Sequence, residues 1–179
     1  MRSILISSVF VIAFLSCQSS DKNQCVSVND QYSMELLAFL SSTTDLNDVA
    51  SLQYSNGEEE LYVIVIDEDK ASITQALVDN QLEEMYDTSL DGFTQLMLDT
   101  YCSGVNVSTI SDVETTSING FDARVVTIEG AVEGVDIYLQ IAYIEGQSTY
   151  YQLMTWTLLS RKNEFLEQMK TMTNSFREI

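Results

Sequence analysis

Histidine is absent from this chain. That removes the commonest general base and the commonest transition-metal ligand, and with them every Ser-His or Cys-His catalytic arrangement. Cations are scarce too, with 8 Lys and Arg against 27 Asp and Glu, a net charge of -19. Such a surface repels a phosphate backbone, which argues against nucleic-acid binding. The 7 glycines do not gather into a phosphate-cradling loop. After the first apolar run no second long one occurs, so the rest of the chain is expected to fold as a soluble domain.

The remaining chemical motifs are weak. Gly146-Gln147-Ser148 opens like a nucleophile elbow, but Tyr150 stands where the second glycine must let strand and helix approach. The lysines are Lys22, Lys70, Lys162 and Lys170, and a serine stands three residues before only Lys22, where Ser19 falls in the polar stretch after Cys17. Asp67-Glu68-Asp69 offers hard oxygen ligands, yet an EF-hand loop starting there meets Ser72 at the glycine position and Val78 at the closing glutamate. The expectation is no metal and no cofactor, with these acids forming a solvated turn or a helix N-terminal charge. Among 27 acids some pair suited to glycoside hydrolysis always exists on paper, so composition does not discriminate there.

Met1 and Arg2 precede a mostly apolar run, Ile4 to Leu15, closed by Ser16 and Cys17. This is the layout of a signal peptide, and the run falls short of the roughly 20 residues a spanning helix needs. A small residue before a cysteine resembles the lipobox of bacterial lipoproteins, although Phe14 holds the place where leucine is usual and Leu15 follows it. The resemblance implies a signal peptide over 1–16 and lipidation of Cys17, which would tie the protein to a membrane by its acyl chains. Residues 17–30 are polar and read as the lipidated cysteine and a flexible tether. About 150 residues then remain, 31–179, enough for one hydrophobic core. The expected location is the bacterial cell envelope as an outer-membrane lipoprotein, on its periplasmic or its surface face.

With Cys17 lipidated, Cys25 and Cys102 remain, and an oxidising envelope permits a bond between them. Closing a loop of that length would constrain the unfolded chain by about 4 kcal/mol in the entropic model. The alternative is a buried Cys102 packing as a small hydrophobe, with Cys25 free.

Periodicity assigns the elements. Gln31 to Phe39 reads as a strand, and Val49–Tyr54 with Glu60–Ile66 as a hairpin around Asn56-Gly57, a pair that favours two-residue primed turns. A weak helical pattern covers Ala71–Met85. A strong one covers Leu90–Tyr101, where Leu90, Phe93, Met97 and Tyr101 form one stripe, with Thr88 and Asp91 suiting its start. Strands follow at Ser111–Glu129, broken near Ile118-Asn119-Gly120, then Gly134–Glu145 and Ser148–Leu158. A helix from Arg161 to Phe176 closes the chain. Aromatic residues Tyr143, Tyr150, Tyr151 and Trp156 fall in the last two strands; alternation puts Tyr150 and Trp156 on one face and Tyr151 on the other. They are candidates for an interaction surface as well as for core.

This order of elements resembles the PsbP-like family, whose members include photosystem extrinsic subunits and bacterial envelope lipoproteins. The likeness is carried by Tyr32-Ser33-Met34-Glu35-Leu36, Gly120-Phe121-Asp122-Ala123-Arg124, Tyr150-Tyr151-Gln152-Leu153 and Asn174-Ser175-Phe176-Arg177. Members commonly have a proline after the first strand, where this chain has none. The resemblance implies an α+β fold, an antiparallel sheet packed by helices as an α/β/α sandwich. It also implies a non-catalytic accessory or binding role, with another envelope protein as partner.

Two other readings stay open. A carrier or sensor of a small apolar ligand requires an enclosed apolar cavity of about 300 Å³ or more. A histidine-free hydrolase requires two carboxyl groups facing each other across a cleft at about 5 to 9.5 Å.

Overall fold

The computed structural model describes residues 22–179. The signal peptide and Cys17 lie outside the described residues. In chain order the elements are β1 (Asn23–Val28), β2 (Tyr32–Leu37), β3 (Ser41–Ser42), β4 (Leu52–Asn56), β5 (Leu61–Asp69), α1 (Lys70–Asp79), α2 (Leu90–Gly104), β6 (Asn106–Ile110), β7 (Glu114–Ile118), β8 (Phe121–Val132), β9 (Val135–Glu145), β10 (Thr149–Leu158), α3 (Lys162–Asn174) and β11 (Arg177–Glu178). The fold is α+β, as expected, and all strand pairs are antiparallel.

A large sheet runs in the order β3-β4-β5-β10-β9-β8-β6, with β7 also paired to β8. Its long central strands are apolar on both faces, because one face is covered and the other is covered in part. On one face lie α3 and a small sheet of order β1-β2-β11. Tyr32, Met34 and Leu36 of β2, with Phe165, Met169 and Met172 of α3 and Phe176, pack there onto Val63, Val65, Ala142, Ile144, Tyr151 and Leu153. On the other face Leu90 and Phe93 of α2 pack onto Val126, Ile128, Leu139, Ile141, Tyr143 and Tyr150.

Part of the stretch expected as a flexible tether, 17–30, is a strand. Asn23 to Val28 pair with β2 from Asn23↔Leu37 to Val28↔Tyr32, and the Ala38 N–H donates to the Lys22 carbonyl at 2.9 Å. Val26 and Val28 pack against the core cluster. Two valines on one side of a polar segment suffice for an edge strand once β2 supplies a ladder to join. The domain therefore begins before residue 31.

The possible bond between Cys25 and Cys102 is not formed, because Cys102 is a free thiol. Cys25 belongs to the small sheet and Cys102 to α2, on opposite faces of the large sheet. A disulfide spans Cα atoms only about 4.4–6.8 Å apart and cannot reach through that layer.

Turn chemistry shifted as well. Asn56 and Leu61 pair directly, so residues 57–60 form the loop. The Asn56 side-chain oxygen accepts from the N–H groups of Glu58 and Glu59, both at 3.0 Å, an Asx-type turn in place of a primed one. Two-residue turns with positive φ at both central positions occur elsewhere. Asn119 and Gly120 (φ 50° and 91°) join β7 to β8, and Glu133 and Gly134 (51° and 84°) join β8 to β9.

The helix expected over 71–85 stops at Asp79. Asp69 caps its start, accepting from the Ser72 N–H at 2.8 Å, which is the place the acidic run 67–69 takes in the fold. Ser89, rather than Thr88, caps α2, accepting from the Gly92 N–H at 3.2 Å. Among the described residues no helix is long and apolar enough to cross a membrane.

Candidate functional site

The second face of the large sheet is only half covered. In α2 the buried residues are Leu90, Gly92, Phe93 and Thr94, all in its N-terminal half. There Phe93 stacks on Tyr150 at 4.5 Å between ring centroids and meets the Tyr143 ring edge-on at 6.0 Å. Gly92 lets the loop before α2 fold back onto the first turn of the helix, since a Cβ at that position would lie 2.1 Å from the Asp87 carbonyl oxygen. Farther along α2, Met97 and Tyr101 are half-buried, and a groove of about 800 Å³ opens between the helix and the sheet.

Alternation on three strands makes the groove floor apolar. Strand β5 supplies Tyr62, Ile64 and Ile66, and β10 supplies Met154, Trp156 and Leu158. Strand β9 adds Ile137, Leu139 and Ile141. Trp156 lies directly opposite Tyr62 in the ladder, and their rings stack at 5.2 Å with 8° between planes. The Gln152 amide donates to the Met97 sulfur at 3.3 Å, tying α2 to the floor.

Loops make the rim. Leu46 and Asn47 stand at one side, Glu60 at the start of β5, and Val132 and Val135 at the turn between β8 and β9. Val135 is 49% exposed. The Tyr62 hydroxyl donates to Glu60 Oε2 at 2.8 Å. Burial, and then this hydrogen bond to a carboxylate, push the Tyr62 phenol above its ordinary range. Glu60 is the one acid among the groove-lining residues, so a facing carboxylate pair has no place in this groove.

Of the four aromatic residues named as candidates for an interaction surface or for core, Trp156 and Tyr143 line the groove. Tyr143, Tyr150 and Tyr151 are core, each no more than 2% exposed. Tyr143 closes the inner end of the groove, and burial raises its phenol pKa. The Tyr150 hydroxyl donates to the Thr88 carbonyl at 2.7 Å, beneath α2. Tyr151 points to the opposite face, packing against Tyr32 and Phe176. Period-2 alternation placed these rings on the right faces, but the lids over each face are remote in sequence. Tyr62, Ile64 and Ile66 went unnoticed as site residues, although their alternation beside Trp156 is visible once β5 and β10 are known to pair.

Cys102 is partly buried against the core cluster beneath α2 and lines a smaller hollow with Asp91, Leu98, Asp99, Ile110 and Val113. Five of the seven described basic residues are held by carboxylates: Lys70 by Glu145, Arg124 by Asp91, Arg161 by Glu59 and Glu164, Lys162 by Glu129, and Lys170 by Glu167.

No protein-family model matches the chain, and no curated protein matches it in sequence. Solved structures do. The solution structure of cyanobacterial PsbP (CyanoP) from Synechocystis sp. PCC 6803 matches with a TM-score of 0.58 at 12% identity, covering 93% of this chain and 99% of that one. LpqN of Mycobacterium tuberculosis, described as involved in cell envelope biogenesis, matches at 0.53 with 8% identity over 82% of each chain. A Pseudomonas aeruginosa protein of unknown function matches at 0.52 with 9% identity, covering 86% of this chain and 94% of that one. The domain has the PsbP-like fold that the order of its elements led us to expect.

Proposed function

We propose that this protein is a non-catalytic accessory module of the bacterial cell envelope, held to a membrane through a lipid on Cys17 and docking another envelope component in the groove beneath α2. One observation carries the docking reading: a half-open apolar groove, floored by the Tyr62–Trp156 stack, on a domain whose net charge is otherwise strongly negative. Exposed apolar area of this kind is costly in water and is kept where something covers it. The tethering reading rests on the Arg2, apolar-run and Ser16-Cys17 layout. A place in the envelope agrees with the description of LpqN, which shares the fold.

A photo-crosslinking amino acid at Val135, on the groove rim, tests docking in living cells. The expected result is one reproducible adduct that disappears when the crosslinker is moved to exposed Ile179 on the far terminus. Adducts no more frequent at 135 than at 179 would sink the proposal. Metabolic labelling with an alkynyl fatty acid tests the anchor: label is expected on the wild type and absent from Cys17→Ser.

A carrier of a small apolar ligand is the second reading, since about 800 Å³ is within the range of ligand pockets. The exposed rim at Val132 and Val135 favours an extended partner, because an enclosed site would have buried it.

A further inference from the structure

We infer that the groove takes a basic amphipathic segment of a partner protein, with its apolar side chains on the sheet floor and its Lys or Arg side chains at the acidic rim and the C-terminal end of α2. This rests on the docking reading and names the chemistry of its partner.

The rim loops are uniformly acidic. Residues 43–50 carry Asp45 and Asp48, residues 57–60 carry Glu58, Glu59 and Glu60, and residues 131–135 carry Glu133. None of the three segments holds a Lys or Arg, and no cation lines the groove. Arg161, three residues beyond groove-lining Leu158, is already held by Glu59 and Glu164. An occupant with a carboxylate or phosphate head would therefore sit beside Glu60 with no counter-charge.

Helix α2 adds to the same bias. Its final turn reaches the groove through Tyr101 and Gly104 and contains no basic residue. The last carbonyls of a helix carry the negative end of its dipole and favour a nearby cation. A second copy of this chain is a poor occupant, because it would bring an equally acidic surface against the same rim. A cationic amphipathic helix satisfies both demands, presenting apolar anchors at i, i+3, i+4 and i+7 beside Lys or Arg.

The chain has a single tryptophan, and Trp156 lies on the groove floor, so its emission reports occupancy. Purified protein is titrated with a leucine–lysine amphipathic peptide, the matching leucine–glutamate peptide, and laurate, at physiological salt. The lysine peptide is expected to give a saturable blue shift of Trp156 emission. Glu60→Gln and Val135→Lys, both at residues that line the groove, should each weaken it about two- to fivefold, as expected for exposed charge pairs. Circular dichroism verifies that the variants fold.

Equal binding of the glutamate peptide would overturn the charge inference while leaving docking intact. Tighter binding of laurate would replace the peptide partner with a small apolar ligand. Lysine-peptide binding that leaves Trp156 emission unmoved, or that the rim variants do not weaken, would place the contact elsewhere on the acidic surface and overturn the inference. No response to any of the three probes would overturn the docking reading as well.

Discussion

The indole of Trp156 lies nearly flat on the phenol ring of Tyr62, 5.2 Å away with 8° between planes, across neighbouring strands β10 and β5. Stacked cross-strand aromatics contribute about 0.5–1.5 kcal/mol beyond the area they bury. A double-mutant cycle of Tyr62→Ala and Trp156→Ala, read by urea unfolding with circular dichroism, should return a coupling in that range. Additive single effects would show that the stack contributes nothing, leaving the floor held by its aliphatic neighbours alone.

Two glycines of α2 should respond oppositely. A Cβ at Gly92 meets the Asp87 carbonyl oxygen at 2.1 Å, whereas nothing lies within 4 Å of one at Gly104. Gly92→Ala is expected to cost about 1–3 kcal/mol by forcing the Asp87 loop away from the first turn of α2. Gly104→Ala should stabilise by up to about 1 kcal/mol, through helix propensity and a less flexible unfolded chain. Urea midpoints decide, and a neutral Gly92→Ala would refute the close approach.

Beneath α3 the Gln140 amide donates to the Thr173 hydroxyl at 2.9 Å, while the hydroxyls of Thr155 and Thr157 are buried without a hydrogen-bond partner. A valine of the same shape removes that unmet group. Thr155→Val and Thr157→Val should be neutral or stabilising by up to about 1 kcal/mol, whereas Thr173→Val strands the Gln140 amide and should cost about 1–3 kcal/mol. Destabilisation by Thr155→Val would mean that its hydroxyl is satisfied after all.

Alkali should unfold the domain. Burial raises the phenols of Tyr32, Tyr143 and Tyr151 above their ordinary value, with a hydrogen bond to Glu178 adding to the effect at Tyr151. A raised acid favours the folded state while it stays protonated. Its stabilisation is fully present below the unfolded value of about 10 and is lost as pH climbs through the folded values. Absorbance at the phenolate band should show these residues ionising only together with loss of the far-UV signal. Their early titration in an intact fold would contradict the burial.

Much of the architecture was readable from periodicity. Alternation along 135–145 and 149–158 marked the central strands and sorted Tyr150 and Trp156 from Tyr151, because side chains in a strand must point to opposite faces. The stripe Leu90, Phe93, Met97 and Tyr101 marked α2 equally well. Local signals failed where a partner decides the outcome. The polar stretch at Asn23–Val28 becomes a strand only because β2 offers it hydrogen bonds, and Asn56-Gly57 yields to an Asx turn that positions Glu58, Glu59 and Glu60.

By itself the sequence determined the α+β class, the acidic surface, the absence of histidine chemistry and the two-faced strands, since these follow from composition and from the geometry of one residue to the next. Tertiary structure alone decided which aromatic rings are core and which is open, and that Cys25 and Cys102 lie on opposite faces of a sheet. Those outcomes depend on how far α2 extends its cover across strands distant in the chain. Where that cover ends, at Met97 and Tyr101, the groove begins.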